Sequence, residues 1–362
     1  MKFEEAREIG EVLGRTASIR EKAPAPEGLI LAQVARGELK LVAGTGTTVL
    51  GSARTVIATV GPHEGEARVG VLPARALLQA LKTLKGKGDV AFLLDNTALR
   101  LLTAAGGSLS IGAEFPLDLP RVLRPVPDNA EAPTVYLPEG SMDRMAAITS
   151  IMTAAVEFGT LWYVEWSSIS GKEGYFRASD NMYAAEFGPF GALATGHYHI
   201  DKDYVASMRG LTGQGTMRFM PKPPEKVATV QTRVGRYLFV GVQGFVPKMP
   251  RFPHSQADVT IKSKKSDIIG LLRTIGSGSP MVSLKATGSE ATLMSTNGSE
   301  GPVVGEVDGV GVIRFSPLAL AKALNVLKGE TLTVQYLSGT ASPMRVVGED
   351  AGWPILLAPA KA

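Results

Sequence analysis

His197-Tyr198-His199-Ile200-Asp201 is the stretch with the strongest metal-ligand character in this sequence. Alternate positions of a strand face one side, so two imidazoles and a carboxylate there could hold zinc and serve a metal-dependent hydrolase. Only four histidines occur in the chain, and the other two, His63 and His254, stand far off in sequence. A strand running into a helix capped by Asp201 accounts for the same residues without a metal. Metal analysis of purified protein separates the two readings. Asp143, Glu157 and Glu165 are scattered, with no acid and base carboxylates paired by spacing, and no Ser/His or Ser/Lys nucleophile arrangement is recognisable. The absence of cysteine removes disulfides, thiolate ligands and thiolate nucleophiles. In Ala43-Gly44-Thr45-Gly46-Thr47 a phosphate loop would need a helix opening directly afterwards, whereas Thr48-Val49-Leu50-Gly51 continues as strand, so a hairpin turn is expected. No catalytic centre, metal or cofactor is expected.

The remaining chemistry is cationic and sits on helices. Ala80-Leu81-Lys82-Thr83-Leu84-Lys85-Gly86 returns as Ala323-Leu324-Asn325-Val326-Leu327-Lys328-Gly329, and each copy follows a proline, Pro73 or Pro317, at a position suited to a first helical turn. Gly86 and Gly329 stand where the helices should stop. Leu77, Leu78, Leu81 and Leu84 form one face of the first copy, with Arg75, Gln79 and Lys82 on the other; Leu320, Leu324 and Leu327 oppose Lys322 and Asn325 in the second. Strand-like runs follow at 89–94 and 331–336. Four weaker copies lie at 4–16, 141–152, 201–209 and 264–275, with Arg7 and Arg15, Arg144, Lys202 and Arg209, and Lys264, Lys265 and Arg273 on their polar sides. Basic residues solvate any outer helix face, but six such helices in one chain imply a shared purpose.

Length and punctuation organise these units. A chain of 362 residues exceeds one ordinary core. Proline-rich passages at 121–133 and 247–255 read as linkers, giving domains 1–122, 123–254 and 255–362, each with two of the helices. Short strands at 29–34, 38–42 and 55–60 begin the first domain. The expected class is α+β, with three tandem domains, each a doubled helix-plus-strands unit. A net charge of +4 permits a nucleic-acid partner. No stretch has the length of a membrane span, and Met1-Lys2-Phe3-Glu4-Glu5-Ala6-Arg7 is charged at once, so a cytoplasmic protein with no membrane partner is expected.

Met1-Lys2-Phe3, the unit at 73–86, Glu114-Phe115-Pro116 after a strand, and Phe315-Ser316 through Ser342-Pro343 to Leu356-Leu357-Ala358-Pro359 occur in an order and spacing that resemble the bacterial DNA polymerase III beta subunit, the sliding clamp, over nearly the whole chain. In the middle domain, Ala178-Ser179-Asp180-Asn181-Met182-Tyr183-Ala184 stands where that family has Thr-Asp-Gly-His-Arg-Leu, keeping only the aspartate. The resemblance implies a homodimer closed head to tail into a ring, helices inside and sheets outside, encircling duplex DNA. Such a processivity factor has no catalytic activity; it tethers a DNA polymerase and is placed on DNA by a clamp loader. Arg20, Lys22, Lys82, Arg144, Lys202, Arg209, Arg273 and Lys322 are then expected on the pore face, meeting phosphates without regard to sequence. The pocket for partner peptides would use Ser179, Asn181, Met182, Tyr183 and Ala184, then Pro247, Arg251 and Phe252, and Ser316, Leu356, Leu357, Pro359 and Ala360. Leu109, Ile111 and Ile275 would serve the dimer interface, an ordinary core strand being the other reading of 108–112. The altered motif implies a changed partner sequence and is compatible with a phage or mobile-element clamp. A clamp-fold scaffold recruiting repair or transcription proteins is the alternative.

Overall fold

Among the described residues of the computed structural model, amphipathic spacing places six helices at the six positions expected, amid twenty-three strands. The structure describes residues 1–16, 29–45, 54–115, 132, 134–152, 163–168, 173–180, 182–192, 196–222, 227–243, 257–338, 343–349 and 353–358. In chain order these are α1 (Phe3–Thr16), β1 (Leu29–Ala35), β2 (Glu38–Thr45), β3 (Arg54–Pro62), β4 (Arg68–Pro73), α2 (Ala74–Thr83), β5 (Val90–Leu94), β6 (Ala98–Thr103), β7 (Ser108–Gly112), β8 (Thr134–Leu137), α3 (Ser141–Ser150), β9 (Tyr163–Ser168), β10 (Glu173–Ser179), β11 (Tyr183–Gly191) and β12 (Gly196–Asp201). There follow α4 (Lys202–Ala206), β13 (Gly215–Lys222), β14 (Val227–Val234), β15 (Tyr237–Gln243), β16 (Val259–Lys264), α5 (Lys265–Thr274), β17 (Val282–Thr287), β18 (Ala291–Ser295), β19 (Glu300–Val303), β20 (Gly305–Phe315), α6 (Pro317–Val326), β21 (Thr331–Tyr336), β22 (Met344–Gly348) and β23 (Ile355–Leu357). Among the described residues no helix is long and apolar enough to cross a membrane.

Local chemistry sets the helix ends. Ser316 caps α6, its hydroxyl accepting from the Ala319 N–H at 3.4 Å, and Pro317 opens the first turn. Pro73 lies one residue earlier in α2, at the N-cap. Gly86 (φ 81°) and Gly329 (φ 91°) both adopt the left-handed conformation just beyond their helices.

The chain divides into two compact units. Unit 1 comprises Met1–Met142, Gly191–Ala194 and Gly210–Phe245; unit 2 comprises Asp143–Phe190, Thr195–Arg209 and Val246–Ala362. This division runs through the stretch expected to be the middle domain, while the expected boundaries at 122/123 and 254/255 fall outside the described residues.

Unit 1 contains an eight-stranded sheet, β4-β1-β2-β3-β15-β14-β13-β8, and a three-stranded sheet, β5-β6-β7. The seam β3–β15, from Tyr237↔Ala58 to Gly241↔Arg54, makes one sheet of strands from the first and middle parts of the sequence. Ile9, Val12 and Leu13 of α1 and Leu77 and Leu81 of α2 are fully buried. At an order-of-magnitude ~2 kcal/mol for each large apolar side chain, this packing holds the helices in place. The Tyr237 hydroxyl donates to Glu8 Oε1 at 2.6 Å and Arg236 pairs with Glu5 at 2.7 Å, so α1 also grips the β14–β15 turn. Burial, then the Glu8 hydrogen bond, pushes the Tyr237 phenol above its ordinary pKa.

Unit 2 contains a twelve-stranded sheet, β12-β9-β10-β11-β23-β22-β21-β16-β20-β17-β18-β19. Its seam, β11–β23, pairs Tyr183↔Leu357, Ala184↔Leu356 and Ala185↔Ile355. Phe176, Phe187, Phe315, Leu324 and Val346 are fully buried. Trp353 meets Phe187 and Phe190 edge-on at 5.5 and 5.6 Å.

Candidate nucleic-acid face and partner site

In unit 1, α1 and α2 leave a groove of about 540 Å³ lined by Gly10, Glu11, Gly14, Arg15, Arg75, Leu78, Gln79 and Lys82. Three cations against one carboxylate make it an anion-attracting cleft, and Arg75, Gln79 and Lys82 are exposed. Arg15 and Arg75 thus stand beside Lys82 although the sequence analysis did not place them on the pore face. Their position on the polar sides of their helices was the available signal.

Within unit 2, Arg209, Arg273 and Lys322 are exposed at the end of the α4 turn, in the last turn of α5 and on α6. Lys202 opens α4; its side chain, like Arg20 and Lys22, lies outside the described residues. Arg144 differs from the expectation of a cation facing solvent. It is half-buried, with its guanidinium carbon 4.6 Å from the Trp353 ring centroid, because the flat cation stacks on the indole face. Asp143, beside it, approaches Lys328 at 3.7 Å, so adjacent charges of α3 grip the last part of the chain. Lys265 is also engaged, donating to the Leu327 carbonyl beyond α6 at 2.8 Å.

The expected peptide-pocket residues are divided by strand alternation. Tyr183 and Leu357 share one face of the β11–β23 ladder, while Ala184 and Leu356 share the other. Tyr183 is 4% exposed, and its hydroxyl donates to the Ala319 carbonyl of α6 at 3.2 Å. Burial, then the charge of Asp180, pushes its pKa up to about 12. Asp180 shapes the preceding turn by accepting from the backbone N–H groups of Met182 and Tyr183. Ser316 is occupied as the α6 cap, Leu357 is fully buried, Ser179 is half-buried at the end of β10, and Met182 is exposed. Asn181, Pro247, Arg251, Phe252, Pro359 and Ala360 lie outside the described residues. On the Leu356 face, a shallow dimple is lined by Ala257, Gln335, Tyr336, Leu337, Pro343, Arg345 and Leu356.

A pH dependence follows from Tyr183. Its folded pKa near 12 exceeds the ordinary 10, so its contribution is complete below pH 10 and is lost as pH rises toward 12. Tyr183→Phe is expected to cost ~1 kcal/mol at neutral pH and to flatten the alkaline fall in stability between those values, as followed by urea unfolding at a series of pH values.

Among the end strands of the described sheets, β7 and β19 bear on subunit closure. β7 is the last strand of its sheet, and Leu109 on it is 44% exposed. β19 ends the twelve-stranded sheet. Ile111 and Ile275, expected with Leu109 at an interface, are each only 5% exposed. Ile111 points into unit 1 from a strand whose neighbouring side chains are exposed, and Ile275 packs so closely under β19 that a Cβ on Gly301 would stand 2.6 Å from its Cδ1.

β12 pairs with β9 through His197↔Ser167 and His199↔Glu165 and runs directly into α4; the histidine side chains lie outside the described part. His63 is buried, its Nε2 accepting from the Leu94 N–H at 3.1 Å. Gly44 and Thr45 lie in β2, whose pairing with β3 runs to Thr45↔Arg54, and residues 46–53 between the two strands lie outside the described residues.

No family model and no curated protein sequence matches the chain. Solved structures match it end to end. The DNA polymerase III beta subunit of Thermotoga maritima superposes with a TM-score of 0.74 at 16% identity, covering 100% of this chain and 98% of that one. The sliding clamp of Bacillus subtilis gives 0.71 at 14% identity, with 100% and 98% covered. The Helicobacter pylori beta clamp, solved bound to a DNA ligase peptide, gives 0.70 at 11% identity, with both chains fully covered. At these identities the likeness is one of fold: along its whole length this chain has the α+β fold of the DNA polymerase III beta subunit sliding clamps.

Proposed function

We propose that this protein is a DNA sliding clamp, acting without catalysis, in which two copies close head to tail around duplex DNA and tether a polymerase and other DNA-processing proteins. The observation that carries this reading is the full-length clamp fold combined with exposed cations on or just after its helices, Lys82, Arg209, Arg273 and Lys322. The three domains would be 1–122, 123–254 and 255–362, joined through the seams β3–β15 and β11–β23. Open edges at β7 and β19 support closure by a second copy, because an unpaired strand edge beside an apolar side chain favours pairing. A clamp loader would set the ring on DNA.

The test is retention. After loading onto a closed circular plasmid, the protein should remain associated through a high-salt wash and should leave when the plasmid is linearised. Loss from both forms at equal rates would overturn topological holding. The cations should contribute in a graded, salt-dependent way. Replacing Lys82, Arg273 and Lys322 together by glutamate is expected to lower the slope of log affinity against log salt by about 2–3. These exposed substitutions should leave the melting temperature unchanged; an unchanged salt slope would remove the three residues from the DNA face.

A further inference from the structure

The dimple on the Leu356 face carries a chemical preference of its own, and its use rests on the partner-binding reading above. Pairing across β11, β23, β22 and β21 aligns Ala184, Leu356, Arg345 and Gln335 in one row on one face of the sheet. The row begins with a small residue, has a 5% exposed leucine as floor, and continues into an exposed guanidinium. The dimple is shallow, and the Arg345 guanidinium on it is the polar group best placed to choose a ligand.

Arg345 is oriented for this. Its Nη1 donates to Gln335 Oε1 at 3.2 Å, and Gln335 in turn donates through Nε2 to Thr260 Oγ1 at 3.4 Å. One edge of the guanidinium is thereby fixed while its other N–H groups are left for a ligand. Among the described residues Arg345 forms no ion pair. Asp258, next to the dimple-lining Ala257, already accepts from the Ser338 N–H at 2.9 Å. Among the described residues, a carboxylate is the complement that Arg345 lacks.

We propose that this face binds an acidic peptide segment, with an aspartate or glutamate side chain received by the Arg345 fork and a small apolar neighbour resting on Leu356. A guanidinium meets a carboxylate through two parallel hydrogen bonds, which gives geometric selectivity that a lysine or an amide lacks. Gln335 is a positioning residue and Arg345 the specificity-determining one.

The test starts from the full-length protein and a displayed library of random heptapeptides, with Arg345→Gln and Arg345→Glu selected in parallel. Peptides enriched on the native protein should share an acidic position. Synthesised with aspartate and with asparagine, the best of them should differ about tenfold in dissociation constant by fluorescence anisotropy. Arg345→Gln should abolish that difference, and Arg345→Glu should enrich basic peptides. Enrichment of purely apolar peptides, the same acidic consensus on all three proteins, or no enrichment would each overturn the proposal. Retention on circular DNA is read separately, so a failed acidic preference with intact retention discards this inference alone, whereas lost retention discards the clamp reading on which it rests.

Discussion

On the proposed ring closure, replacing Leu109 by glutamate is expected to leave the protein monomeric and to abolish its retention on circular DNA. Leu109 is 44% exposed on β7, which among the described residues pairs on one side only, with β6, through Leu101↔Leu109. Closure against a second copy would remove this side chain from water, contributing on the order of 2 kcal/mol at each contact. A buried, unpaired carboxylate instead costs roughly 3–5 kcal/mol. A head-to-tail dimer contains the contact twice, so the penalties combine and dissociation should tighten its hold over the equilibrium by at least a thousandfold. Light scattering across a dilution series reads the native mass. Because Leu109 is exposed in the single chain, its melting temperature should move by no more than a few degrees beyond what loss of the dimer itself produces. A variant that remains dimeric would place the interface elsewhere. The corresponding change at Ile111 would not make the same test, since that side chain is 5% exposed and its loss would damage the core.

Substitution of Gly309 by alanine should cost about 4 kcal/mol or prevent folding of unit 2. Gly309 lies in β20 opposite Val259, with φ of 100°, and a Cβ there would stand 1.9 Å from the Asp258 carbonyl oxygen. Two penalties coincide: a backbone conformation unfavourable for any L side chain, and a collision with main chain that cannot rotate aside. Gly235 separates them. It has φ of 53° in the turn after β14, but a Cβ would meet nothing within 4 Å. Its alanine variant should therefore show conformational strain alone, about 1 kcal/mol. Urea unfolding midpoints decide the matter; equal losses at the two positions would remove the collision from the explanation.

Helix positions were legible in the sequence because the property that marks them is local. Leu77, Leu81, Leu320 and Leu324 recur at the period that puts them on one side, and the structure buries all four. Strand alternation was equally available at Tyr183-Ala184 and Leu356-Leu357, since adjacent strand residues face opposite ways. Grouping all four in one pocket passed over that rule. Edge cations could be selected by helix face, but Arg144 shows the limit: its sequence position is that of a solvent-facing residue, and an indole over two hundred residues away engages it.

From the amino-acid order alone came the helices, most of their ends, the α+β class and the resemblance to a clamp, all properties carried by neighbouring residues. Tertiary structure alone decided which strands meet. The seams β3–β15 and β11–β23 join residues far apart in the chain, and no residue in either strand names its partner. Partner choice depends on the simultaneous burial of both faces and satisfaction of both backbones, a condition on the assembled sheet and not on any segment of it. The same condition put Tyr183 against α6, placed Arg345 beside Leu356, and left β7 and β19 as edges.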